Sequence, residues 1–338
     1  MNPGFFNLPF ARAAVFAAAC ILGCASTASS ADERQHLKPR FTPGEVFRYQ
    51  IELHTTAKTK TTGPITDPEG ANALDESTNL LIRMEVLSVR KIPPGEDEEV
   101  RIRATYEKAA VVSNTDALDP QAYALEQQYS KLAGHSIEFT TEPDGSTRDV
   151  KGLEDLFSDP QAAARMTESL RSVGLATPLP AKGIVLGEKW TTTQPFEGKP
   201  LEGLVWKSEA TYLRNEPCSA AADESKPAED SAANSNATNS GESCAIILTR
   251  RELLNHAHGD PTPVDYVKHG LRTSGKWTGN GESLSAISLE TGMAVSTTET
   301  SSEEMDFTVT SAAAHNRVHY SGEVHSRTEV RLIPAGKL

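Results

Sequence analysis

His256-Ala257-His258-Gly259-Asp260 is the stretch whose residue types come nearest to a reactive centre. Two imidazoles on a turn can hold one metal ion, and a carboxylate two positions on can serve a second. Zinc held in this way lowers the pKa of its bound water and turns it into a hydrolytic nucleophile. The apolar run Ile246-Ile247-Leu248 supplies a strand upstream of the turn. The competing reading is a polar turn between strands with no chemistry of its own.

The other candidates do not converge. His319 and His325 lie on one face of one alternating segment, about 20 Å apart by strand rise, too far to share an ion. Among Glu323, Arg327, Glu329 and Arg331 they read as part of a solvated ladder of charge. The sequence has no Gly-x-Ser-x-Gly elbow, no phosphate-binding loop and no dinucleotide fingerprint; Gly279-Asn280-Gly281 reads as a turn. Carboxylates are spread too evenly to single out a general acid. Trp190, Trp206 and Trp277 are the three tryptophans, and core packing accounts for Trp190 and Trp206 better than a sugar-stacking platform. No catalytic residue and no cofactor is expected.

The elements that would hold such residues begin with a targeting segment. Arg12 is followed by the apolar run Ala13 to Gly23 and by small residues from Ser26 to Ala31, the order of a secretory signal peptide and too short for a membrane span. Cleavage near Ala31 is one reading; Ile21-Leu22-Gly23-Cys24 as a lipobox, with Cys24 lipid-modified, is the other. Both make the chain an exported one, in the periplasm or at the outer membrane of a bacterium, touching a membrane only through an anchor on Cys24. Losing residues 1–31 removes Arg12 and takes the charge from 33 − 46 = −13 to 32 − 46 = −14. An acidic chain without a basic cluster excludes nucleic acid as a partner. Cys218 and Cys244 are then the remaining cysteines, and in an oxidising compartment a disulfide between them is the simplest expectation, against two free thiols or a metal pair.

Alternation dominates the rest. From Val318 to Leu332, apolar and small residues alternate with His, Glu, Arg and Ser over fifteen positions, which only a long half-buried strand satisfies. Phe47, Tyr49, Ile51 and Leu53 alternate with Arg48, Gln50, Glu52 and His54; Leu80 to Val86 and Val100 to Tyr106 repeat the pattern, while Thr55 to Asn79 reads as a long connection. Asp119-Pro120 and Asp159-Pro160 each open a helix, closed by Gly134 and Gly174. Pro143-Asp144-Gly145 and Glu290-Thr291-Gly292 mark hairpins. The expected fold is mainly β: a long curved antiparallel sheet, or two related sheets, with two short helices covering one face. The expected division is a signal at 1–31, a meander with two helices at 32–178, and a second β half at 179–338 carrying a disordered acidic loop at 219–243. Gly187-Glu188-Lys189-Trp190 echoes Gly44-Glu45-Val46-Phe47, which points to two halves of related plan.

Pro43-Gly44-Glu45-Val46-Phe47-Arg48-Tyr49, Leu179-Pro180 with Val185 to Trp190, and Gly279-Asn280-Gly281 with Glu290-Thr291-Gly292 resemble an uncharacterised family of bacterial exported proteins, some of them lipoproteins. The resemblance implies a sheet-rich domain like the half-barrel lipoprotein carriers and transfers no catalytic residue. His256, His258 and Asp260 resemble the zinc motif of metallo-β-lactamase-type hydrolases, but Pro261 stands where that motif has another His, and the parallel strand–helix alternation of that fold is missing.

A curved sheet leaves an apolar concave face that helices or a ligand must cover. The leading expectation is a non-enzymatic envelope protein binding a lipid, another apolar ligand or an envelope protein, with Phe47, Tyr49, Ile51 and Tyr320 on the face that matters. A structural or interaction module acting through strand edges is the second expectation, and a zinc hydrolase on His256, His258 and Asp260 the third.

Overall fold

Long runs of period-two alternation leave the chain one way to hide its apolar positions, which is to pair strand on strand with the dry parity on one side. The computed structural model describes residues 34–63, 73–92, 97–116, 120–142, 147–153, 179–180, 182–196, 201–219, 241–255, 260–311 and 316–333. In chain order the elements are β1 (Val46–Thr62), β2 (Ala73–Ile92), β3 (Asp97–Thr115), α1 (Pro120–Leu132), β4 (Ser136–Thr141), β5 (Thr147–Lys151), β6 (Lys189–Pro195), β7 (Leu204–Pro217), β8 (Ser243–Asn255), α2 (Val264–Lys268), β9 (Leu271–Ser288), β10 (Ala294–Ser311) and β11 (Asn316–Ile333). All the strands join one antiparallel sheet in the order β5-β4-β3-β2-β1-β11-β10-β9-β8-β7-β6. Open sheets of this width curl, because each strand is rotated against its neighbour.

The chain makes one meander outward from β1 to β5, restarts at the opposite edge with β6, and meanders back to β11, which closes on β1. That seam runs from Arg48↔Ile333 to Thr62↔His319. The two expected halves therefore share one sheet. Their entry turns are built alike. Gly44 N–H donates to Val86 O and Val86 N–H to Glu45 O; Gly187 N–H donates to Tyr212 O and Tyr212 N–H to Glu188 O. Both glycines have φ near +80° (+84° and +80°), and each following glutamate accepts a 3.0 Å bond from the backbone three residues earlier, at Thr42 and at Val185.

The stretch expected to be a long connection, Thr55 to Asn79, is instead mostly strand. β1 continues to Thr62 and β2 starts at Ala73, with Ala57 opposite both Leu74 and Val324. Threonine is β-branched and suits a half-wet strand, and β11 is long enough to pair with the extension. The helix expected over 159–174 lies outside the described residues, as does 220–240 of the acidic loop. Cys218 and Cys244 form a disulfide, with Cα atoms 5.0 Å apart, at the base of that excursion.

Register places Tyr49, Ile82, Tyr106, Ile102 and Ile137 on one face, here the inner one. At the end of the sheet where β1 begins, these side chains and Leu132 of α1 form a core; Tyr49, Tyr106, Leu132 and Ile137 are fully buried. Burying an aliphatic side chain of this size contributes about 1.5–3 kcal/mol. Residues 34–41 cross the same end. Gln35 bridges to Ile184, Leu37 packs with Ile247 and Ile287, Arg40 N–H donates to Thr291 O at 2.8 Å, and Phe41 meets Phe47 edge-on. This end of the inner face is closed by chain. α2 has no buried residue.

Candidate functional site

The other end of the inner face, formed by β7 to β11, is built differently. Trp206, Trp277, Met305, Phe307 and Tyr320 share the inner parity, and Phe196, which donates its N–H to Leu204 O, joins them. Their rings form a connected row. Phe196 meets Trp206 at 6.2 Å and Trp277 at 5.2 Å, both edge-on; Trp277 stacks on Phe307 at 6.3 Å, and Phe307 on Tyr320 at 5.0 Å. Contacts of this type each add about 0.5–1.5 kcal/mol to simple area burial. Phe307 is buried, but Phe196, Trp206, Trp277 and Tyr320 keep part of their surface exposed. The row is an apolar surface that is incompletely covered.

Three charged groups share this face. Arg251 of β8 lies with its guanidinium 4.6 Å from the Trp206 ring centre and pairs with Glu299 of β10. Glu303, also on β10, accepts a 3.1 Å hydrogen bond from Trp277 Nε1. Burial raises the Glu303 carboxyl above the usual carboxylate range, against smaller opposing effects of that bond and of Arg251. Arg251 Nε is buried without an acceptor among the described residues, which ordinarily costs about 1–3 kcal/mol. Buried unpartnered polar atoms of this kind call for an explanation at the site itself.

Two glycines make room for the cluster. Gly279-Asn280-Gly281, expected to be a turn, lies within β9, paired with Ser301 to Glu303 on one side and Arg251 to Leu253 on the other. A Cβ on Gly279 would meet Trp206 at 2.9 Å and Glu303 at 3.0 Å; one on Gly281 would meet Arg251 Nε at 2.7 Å. Glycine is required here by close side-chain approach, and a turn is not what it serves. Side chains from β7, β8 and β10 converge on the β9 backbone at these two positions.

Outer-face charges contrast with these. Glu138 accepts from both Arg101 and Arg103 at 2.8 Å, and these bonds hold its carboxyl below the usual range. Arg48 bonds Glu107 at 3.0 Å, and His319 meets Asp306 at 3.0 Å within the expected charge ladder. A shallow outer groove of about 290 Å³ has Ile246, Leu284 and Ala286 in its floor. Its rim charges are neutralised: Arg327 by Glu329, Glu282 by Arg250 and Glu216 by Arg214.

The residues singled out by sequence fall in separate places. Tyr49 is fully buried, with its hydroxyl donating to Ala294 O at 3.2 Å, and Ile51 lies beside it in the core that Phe47 flanks. Tyr320 pairs across from Thr61, twelve residues further along β1 than Tyr49 and about 40 Å away by strand rise. Of the four, only Tyr320 belongs to the half-open row. His256, His258 and Cys24 lie outside the described residues. Asp260 is exposed and already engaged: Oδ1 accepts from Thr262 N–H at 3.0 Å and Oδ2 from Arg272 at 3.0 Å, and the Thr262 bonds lower its carboxyl. Among the described residues, no three His, Cys, Asp or Glu side chains are grouped closely enough to hold a metal ion. No described helix is long and apolar enough to cross a membrane. Arg251, Glu299 and Glu303 had one local signal: each is a charge on the dry parity of its strand, Arg251 between Thr249 and Leu253, and Glu303 two before Met305.

No family model matches the chain, and no curated protein matches it. One similar solved structure concerns lipid–protein interactions in lipovitellin, at 13% identity and a TM-score of 0.43, covering 88% of this chain and 26% of that one. The chain thus spans about a quarter of that protein's length, and a likeness this distant carries no argument about what this chain binds.

Proposed function

We propose that this chain is a non-enzymatic exported envelope protein that holds an apolar ligand, such as a lipid chain, against the inner face of its sheet at the end formed by β7 to β11. The observation that carries the reading is the half-open aromatic row from Phe196 to Tyr320, set on a face whose opposite end is sealed by α1 and residues 34–41. Aromatic surface left partly exposed is costly in water, and an apolar chain laid along it removes that cost. Export agrees with the signal-like N-terminus and with a disulfide between Cys218 and Cys244.

Edge-to-edge assembly is less well supported. The edge strands β5 and β6 have 5 and 7 residues and β4, next to β5, has 6, against 13 to 20 in the strands that run in sheet order from β3 through β1 to β7, and β6 ends at Pro195. Short edges with proline are poor templates for another strand.

The test uses tryptophan emission. A bromine-labelled dodecyl maltoside, added below its micellar concentration, should quench Trp206 and Trp277 and leave Trp190 bright. Quenching should therefore vanish in the Trp206→Phe/Trp277→Phe double variant. Quenching that persists through Trp190 alone, or none in the wild type, overturns the reading.

A further inference from the structure

Taking the apolar-ligand reading as its basis, we infer that the half-open end selects amphiphiles with a cationic head, an ammonium group seated between the Glu303 carboxylate and the faces of Trp277 and Trp206. The charge count favours a cation. Among the described side chains of β7 to β11 on this face, Glu299 and Glu303 supply two negative charges and Arg251 one positive, which Glu299 neutralises by direct pairing. Among the described residues Glu303 is left with an indole N–H as its bonded partner and no cation bonded to it. A carboxylate moved toward an apolar surface gains more from an arriving cation than one in water does, because the local dielectric is lower. The site is already shaped for one cation: Arg251 lies over Trp206, and the glycine trough at Gly279 lets Glu303 approach the same ring. A second cation arriving beside that trough, from the half-open side, meets the Glu303 carboxylate together with the partly exposed rings of Trp277 and Trp206.

The groups facing Glu303 can be named strand by strand. β9 offers Gly279, β11 offers Val324, β8 offers Arg251, β7 offers Trp206, and its own strand offers Glu299 and Met305. Arg251 is paired with Glu299. Burial raises Glu303, so protonation removes its charge at a higher pH than for a carboxylate in water. Cation selectivity should then fade as pH falls through that range, and the head group should be released while the chain-binding surface persists.

The experiment compares three twelve-carbon probes below their micellar concentrations with the whole mature protein: dodecyltrimethylammonium, dodecyl maltoside and dodecanoate, each followed by tryptophan emission. The wild type should bind the ammonium probe about tenfold more tightly than the maltoside, the scale of one cation–π and charge contact, and dodecanoate most weakly. In Glu303→Gln, which keeps an acceptor for Trp277 Nε1, the ammonium-to-maltoside ratio should fall to about one and lose its pH dependence. A ratio near one in the wild type, tighter dodecanoate binding, or a preference that survives in Glu303→Gln overturns the inference while chain binding stands. Failure of all three probes to bind overturns both the inference and the reading on which it rests. Circular dichroism of Glu303→Gln identifies any loss that comes from misfolding, in which case Glu303→Asp, keeping the charge but drawing it back, should give an intermediate ratio.

Discussion

The two ends of the inner face obey the same alternation and have opposite fates. Around Tyr49 and Tyr106 the dry parity is filled with Ile, Leu, Met and Val, α1 closes over it, and the side chains lose essentially all contact with solvent. Around Trp277 the same parity carries large rings, glycines beneath them, and Arg251, Glu299 and Glu303 among them, with most of the rings still partly exposed. A fold that needed only stability would have built the second end like the first, since apolar packing is cheaper than a desolvated carboxylate. The contrast marks one end as scaffold and the other as surface for something else.

Deleting side chains sharpens that contrast most. Ile82→Ala at the closed end should cost about 2–5 kcal/mol in urea unfolding, whereas Tyr320→Ala at the half-open end should cost about 1–2 kcal/mol. Equal losses would make the half-open end an ordinary core. Next in size is the disulfide. The Cys218→Ser/Cys244→Ser protein should lose about 3 kcal/mol on the loop-entropy model, with the same probes still binding because the pair lies outside the aromatic row. Gly279→Ala follows at about 1–3 kcal/mol, since its Cβ would press on Trp206 and Glu303; a shift in tryptophan emission should accompany it, and an unchanged spectrum would remove the trough from the argument.

The smallest effects are in pH, where two glutamates should pull in opposite directions. Glu138 is held low by Arg101 and Arg103, so its contribution is present above the unfolded-state pKa and is lost as pH falls through the folded one; Glu138→Gln should make the protein less sensitive to acid. Glu303 is raised by burial, so its folded form favours the proton: its contribution is greatest below the unfolded pKa and is lost as pH rises through the raised value. Glu303→Gln should therefore relieve a small loss of stability near neutrality. Unfolding midpoints measured across the acid range distinguish the two slopes, and slopes of the same sign would contradict this account of the inner face.

Alternation is local, and for that reason Val318 to Leu332 and Phe47 to His54 announce β11 and β1 without any knowledge of their partners. Helix α1 was legible in the same way from Asp119-Pro120 and Gly134. Thr55 to Thr62 was not, because a run of threonines signals a strand only when a neighbouring strand exists to pair with it. Gly279-Asn280-Gly281 misled for a related reason: glycine signals a turn by default, and only the side chains of Trp206, Arg251 and Glu303, arriving from three other strands, explain it inside β9. Of the four residues expected on the ligand face, Tyr320 lies in the aromatic row, while Tyr49 and Ile51 share its parity at the sealed end. Parity tells which face a side chain occupies and says nothing of where along a strand that face stays open.

What the sequence determined by itself was therefore the β class, the parity of each strand, the helix opening at Pro120 and the pairing of Cys218 with Cys244, all of them set by neighbours in the chain or by simple counting. Only the tertiary structure decided that β11 closes on β1 to make one sheet of both halves, that α1 and residues 34–41 seal one end, and that Trp206, Arg251, Trp277 and Glu303 meet at the other. Strand order and register bring Trp277 and Glu303, 26 positions apart, and Thr55 and Ser326, 271 apart, within bonding distance, and no local pattern encodes that order.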